Sequence, residues 1–210
     1  MLMHAWNDFW QQGNMLNNIV LENEYFYCEH IQNSPEVRNL ISTFTVKYKE
    51  GHGLVDYLKY HALSDEENEE MKTYLIRDKS SDELVGYFSL KAGAVSVNEK
   101  GFLFKREFDS VPGIELANFA MNYTYKKAHN ELDGIGKIIF LDFVLKLTKN
   151  TAEIVGAKLL YIFALPYDSL IEHYKSLHFA RLSAKEEWYV HKRIKPRYDK
   201  RCIFMYMIIE

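Results

Sequence analysis

The stretch from Lys137 to Leu165 constrains the fold more than any other part of the chain. Phe140, Phe143, Val144, Leu147 and Ile154 fall on one helical stripe, and the first two turns are apolar nearly all round. The spacing therefore predicts a largely buried helix over 137–155. Gly156 ends it, and Leu159 to Leu165 follows as a continuous apolar run, the mark of a central strand covered on both faces. Ahead of the helix, after Pro112-Gly113, residues Ile114 to Met121 alternate as a sheet strand should. A strand–helix–strand crossover thus sits in the middle of the chain.

The remaining elements cluster around that crossover. Ile19 to Ile31 is aromatic-rich and bounded by Asn residues, which predicts a first strand. Ser34-Pro35-Glu36 is a helix start, with Ser as N-cap and Pro at the first helical position, and the helix is expected to reach about Lys47. Gly51-His52-Gly53 breaks the chain before a second helix carrying Leu54, Tyr57, Leu58, His61 and Ala62. Thr73–Arg77 and Leu84–Leu90 read as a hairpin around Lys79-Ser80-Ser81-Asp82. Asp168 or Ser169 caps a helix to about Leu177, and two last strands are expected at Trp188–His191 and Cys202–Ile209. The fold class is α/β, a mixed central β-sheet flanked by helices.

At 210 residues the chain is one domain, 1–210, with a short helical extension over about 1–18 around Trp6, Phe9 and Trp10. Such a chain buries roughly 70% of its unfolded surface and needs no disulfide or metal staple. Cys28 and Cys202 stand far apart without a CxxC pattern, and the eight histidines form no zinc spacing, so no metal is expected. The amino terminus lacks a basic start followed by an apolar run, and the longest apolar stretch, Ile154 to Leu165, is twelve residues and contains Lys158. A bilayer needs about 20. A cytoplasmic protein without a membrane partner is expected.

The net charge of −3 argues against whole-surface affinity for nucleic acid. The segment 181–201 departs from this, with eight bases against three acids, a net of +5. It is the plausible polyanion contact of the chain.

Two features suggest chemistry. Gly134-Ile135-Gly136 lies just before the buried helix at Lys137, where backbone N–H groups and the helix dipole favour an anion. Glu115 is the only charge in the apolar strand Ile114–Met121, and burial there would raise its pKa toward that of a general base. Neither the dinucleotide fingerprint nor a Walker A motif is present.

The segment Glu131-Leu132-Asp133-Gly134-Ile135-Gly136 resembles the Arg/Gln-x-x-Gly-x-Gly/Ala pyrophosphate loop of the GNAT-superfamily N-acetyltransferases. As in that family, a strand precedes it, a long helix follows, and then come a strand and a Tyr-containing helix, Leu170 to Phe179. The likeness covers about residues 54–180. Leu54 to Ala62, followed by Thr73-Tyr74, resembles the toxin-type branch, which acetylates aminoacyl-tRNA.

The resemblance implies direct transfer of acetyl from acetyl-CoA to a primary amine in a ternary complex. The acceptor is left open among a protein, a small amine and an aminoacyl-tRNA, the last in contact with 181–201. It also implies that Tyr174 is the general acid and Glu115 the base. Phe119 and Met121 would contact pantetheine and thioester through their backbone, and Gly134, Ile135, Gly136 and Lys137 would hold the pyrophosphate. The family's Arg or Gln is Glu131 here, and the Gly before Phe179 is His178. Those two departures motivate the alternative of a catalytically degenerate GNAT-fold protein acting through CoA or a protein partner. The oligomeric state is open, a homodimer included.

Overall fold

The computed structural model describes residues 18–98, 108–132, 134–194 and 200–209. The expected extension over 1–18 falls outside them, apart from Asn18. Eight strands form one sheet, in the order β1-β2-β3-β4-β5-β6-β8-β7. They are β1 (Ile19–Glu22), β2 (Phe26–His30), β3 (Lys72–Asp78), β4 (Leu84–Asn98), β5 (Phe108–Met121), β6 (Leu159–Ala164), β7 (Ala180–Arg181) and β8 (Ile203–Ile208). All neighbours are antiparallel except β5 and β6, which run parallel across the crossover.

The expected single strand over 19–31 is a hairpin. Asn23 turns it by accepting the backbone N–H groups of Tyr25 and Phe26 on its Oδ1 at 3.0 and 2.8 Å, an Asx turn that the apolar pattern hides. Ser34 does cap α1 (Pro35–Ser42), accepting the Val37 N–H at 3.2 Å, but the helix stops five residues short of Lys47. The helix expected after Gly53 starts earlier. In α2, His52–Asp56 continues through a π turn at Tyr57–His61 into Ala62–Glu67, so His52 and Gly53 are helical.

Short α3 (Tyr123–Ala128) precedes the glycine turn. The buried helix α4 runs Ile135–Ile139, a π segment Phe140–Leu145, and Lys146–Val155, ending on Gly156 in the left-handed conformation. α5 (Asp168–Ser176) follows β6. The strand expected at Trp188–His191 is instead part of the helix α6 (Ala184–Arg193). Ser183 and Glu186 form a reciprocal capping box, with acids in the first turn and bases in the last. These terminal interactions outweigh the β preference of Trp188 and Tyr189.

Alternation along the strands divides the core. Ile76, Phe88, Ile114, Leu116, Leu160 and Ile162 pack beneath α3, α4 and α5, with Ile139, Phe140 and Phe143 fully buried. On the opposite face, Leu75, Tyr87 and Ala120 meet Ile41 of α1 and Tyr57, Leu58 and Ala62 of α2. Farther along that face, Val95, Tyr161 and Phe204 meet Val190 of α6. Each fully buried side chain of this size contributes about 1.5–3 kcal/mol, which makes α4 and α2 the main clamps on the sheet. No helix among the described residues is long and apolar enough to cross a membrane.

Candidate functional site

The sheet opens between β5 and β6. The two strands pair only over Gly113–Glu115 against Leu159–Tyr161. Beyond that point β5 stays with β4 as far as Met121, and β6 stays with β8 as far as Ala164. Each strand is held by its antiparallel partner, so the two diverge into a wedge. Backbone groups that would have crossed the gap lack a strand partner there and need water or a ligand.

The wedge forms a cleft through the sheet. Its inner part, about 190 Å³, is lined by Leu116, Ala117, Asn118, Phe119, Ile162, Tyr174 and Cys202, with Glu50, Gly53 and Leu54 on the α2 side. Its outer part, about 550 Å³, is lined by Lys47, Tyr48, Gly51, Phe119, Met121, Leu165, Tyr167 and His173. Phe119, Leu54, Leu165 and Leu170 border both parts, which join into one passage.

The glycine turn stands beside this passage. Gly134 has φ 72°, a left-handed conformation that suits glycine, and an added Cβ there would meet nothing within 4 Å. Its carbonyl accepts the Lys137 N–H at 2.8 Å. The N–H groups of Ile135 and Gly136 have no partner among the described residues, as expected for a helix start. Ile135 is 2% exposed, so its side chain anchors the turn in the core. A Cβ on Gly136 would lie 3.7 Å from Met121 Cγ, which ties the turn to the cleft wall. Lys137 is exposed. Lys137 and Lys126 both act electrostatically on His173. Burial and these two cations hold the His173 imidazole below its usual range, leaving it neutral near neutral pH.

Tyr174 lies on α5 and lines the inner cleft. It is 7% exposed, edge-on to Phe179 at 5.5 Å, and its pKa is pushed up by burial alone. Glu115 is elsewhere. It is the last β5 residue paired with β6, and it lies on the face opposite Ile114 and Leu116. The Tyr161 hydroxyl donates to its Oε2 at 3.5 Å, and Lys91 is its cross-strand neighbour. Burial raises the Glu115 pKa, opposed by Lys91 and Tyr161. Glu115 therefore marks the vertex of the wedge and is absent from the described cleft lining.

Both positions at which the sequence departs from the resembled pattern lie among the described residues. Glu131 lies 3.6 Å from His129 Nδ1. His178 adopts φ 68°, the left-handed conformation that glycine would take at the end of α5. Among the described residues no group of His, Cys, Asp and Glu is placed to hold a metal. Sequence reasoning passed over Asn118 and His173. An amide in the apolar run Leu116–Met121 was the available signal for the first; the second needed the position of the cleft.

Solved structures align with this chain over most of its length. A tyrosine-to-phenylalanine mutant of KacT matches with TM-score 0.62 at 14% identity, over 89% of this chain and 96% of that one. AtaT complexed with acetyl-methionyl-tRNAfMet matches with TM-score 0.60 at 15% identity, over 87% and 94%. AtaTR bound with acetyl-CoA matches with TM-score 0.59 at 15% identity, over 89% and 95%. This chain has the GNAT fold. No protein-family model and no curated protein matches the sequence.

Proposed function

We propose that this protein is an N-acetyltransferase that moves acetyl from acetyl-CoA to a primary amine by direct attack in a ternary complex, with the amino group of an aminoacyl-tRNA as acceptor. The observation that carries the reading is the wedge, open through the sheet and bordered by a helix start whose first two amides have no partner among the described residues. Ile135 and Gly136 would donate their N–H groups to the pyrophosphate, with Gly134 giving the turn and Lys137 adding charge. Pantetheine would lie along β5, with its amides on the backbone of Phe119 and Met121. AtaT structures carrying acetyl-CoA and acetyl-methionyl-tRNAfMet support the choice of co-substrate and acceptor.

The nitrogen lone pair attacks the thioester carbonyl carbon, forming C–N and placing the π electrons on oxygen. Collapse of this intermediate re-forms the carbonyl and breaks C–S. Tyr174, kept protonated by its burial, gives its phenolic proton to the departing thiolate, while the nitrogen loses its extra proton to a base. Glu115 serves as that base through water, because it stands at the vertex and not on the cleft wall.

The test is acetyl-CoA calorimetry followed by a CoA-release screen with aminoacyl-tRNA, peptides and small amines. Micromolar binding with release on aminoacyl-tRNA is expected. Binding without release on any amine would favour the binding-protein alternative, and no binding at all would remove the acetyl-transfer reading.

A further inference from the structure

The inner wedge holds a polar side chain with an unused acceptor. Asn118 is 2% exposed and lines the wedge, and its Oδ1 is enclosed without a hydrogen-bond partner among the described residues. Its Nδ2 reaches the thioether sulfur of Met71 at 3.8 Å. A thioether accepts and does not donate, so this contact keeps the nitrogen toward Met71 and leaves the oxygen to find another donor. Leaving such an oxygen unsatisfied is destabilising, because burial has stripped its water and supplied no donor in return.

The backbone is built to put the amide there. Ser89 lies opposite Asn118 and Leu90 opposite Leu116, so Ala117 is an extra residue, a β-bulge in β5. Leu116 and Phe119 pack toward α4 and α5, whereas Ala117 packs toward α2. In a regular strand Asn118 would share the face of Leu116. The bulge turns it to the α2 face, the kind of re-aiming that bulges perform beside sites. Nearby polar groups do not use it. Tyr57 Oη and Thr73 Oγ1 lie 3.1 Å apart, and Thr73 Oγ1 and Ser89 Oγ 2.9 Å apart, and none of these contacts reaches Asn118.

We propose that Asn118 Oδ1 accepts an N–H of the acceptor's amino group and positions the nitrogen for attack. This rests on the acetyl-transfer reading above. The glycine turn, where the pyrophosphate would bind, heads α4 on the other layer, so a ligand meeting Asn118 from the α2 side is the second substrate. Glu50 is the charged side chain of the inner lining, and its sign suits an ammonium group arriving there.

The experiment compares wild type with Asn118→Leu and Asn118→Asp, using acetyl-CoA and the fastest acceptor from the three-class screen. Leucine of similar size removes the orphaned oxygen, so the melting temperature should hold or rise. Acceptor kcat/KM should fall about 10- to 100-fold, as for the loss of one hydrogen bond to a charged donor, while acetyl-CoA affinity stays within about twofold of wild type. Aspartate keeps an acceptor oxygen and should recover most of the loss. A folded Leu variant within about threefold of an active wild type overturns the assignment, as does a loss of acetyl-CoA affinity with acceptor kinetics intact. If the Leu variant does not fold, Asn118→Ala is judged by the same criteria. A wild type that binds acetyl-CoA and acetylates no amine overturns the acetyl-transfer reading itself, and this assignment with it.

Discussion

Tyr174 owes its proposed role to its surroundings. Buried at 7% exposure, with Phe179 against its ring, it keeps its proton well above neutral pH. Tyr174→Phe preserves the ring and removes the hydroxyl. Turnover should fall about 10²- to 10⁴-fold while acetyl-CoA affinity is unchanged, and a variant within about threefold of wild type would leave the acid role to water. His173, next to it, makes a separate prediction about stability. Burial, then Lys137 and Lys126, hold its folded pKa below 6.5, so the unfolded chain takes the proton first as the pH falls. Its contribution is complete above the unfolded value and is lost as pH drops through the folded one. His173→Gln should therefore show a smaller fall in melting temperature than wild type between about pH 7 and about pH 5. An unchanged slope would assign the acid sensitivity to other groups, such as His30, which burial also holds low.

Among the elements, α5 shows strain at its end. The Phe179 N–H donates to the Tyr174 carbonyl at 3.0 Å and the His178 N–H to the Lys175 carbonyl at 2.9 Å, closing the helix around a left-handed residue. A side chain in that conformation costs about 1–2 kcal/mol relative to glycine. His178→Gly should stabilise the fold by about 1 kcal/mol, which raises the melting temperature of a domain this size by about 2–4 °C; a lower value in a thermal scan would mean that the imidazole contributes more than its strain costs. α6 shows the opposite case, in which the deciding local signal lies at the helix end. Ser183-x-x-Glu186 is a legible capping box, yet Trp188 to His191 reads as a strand when taken by itself. Caps act at helix ends, outside the window in which aromatic residues suggest a strand.

On the scale of the molecule, Arg181, Lys185, Lys192 and Arg193 are exposed on and beside α6, with the Lys192 ammonium 5.1 Å from the Trp188 ring. If the acceptor is a tRNA, the double reversal Lys185→Glu, Lys192→Glu should weaken activity on it and flatten its salt dependence. Activity on a small amine should be unaffected, and equal losses on both acceptors would point to folding damage. The two faces of the sheet carry different elements, with α4 and its glycine turn on one and α2 and α6 on the other.

What the sequence determined by itself was whatever depends on near neighbours in the chain. The buried stripe of α4, the apolar run of β6, the Ser34 cap and the glycine turn follow from helix and strand periods and from terminal hydrogen bonds. The tertiary structure alone decided where β5 and β6 part, because that depends on which strand holds each more strongly, β4 or β8. It also placed Glu115 at the vertex and, through the bulge at Ala117, turned Asn118 into the wedge. Strand pairing and register are long-range. No local period records them, and a shift of one residue moves a side chain from one face of the sheet to the other.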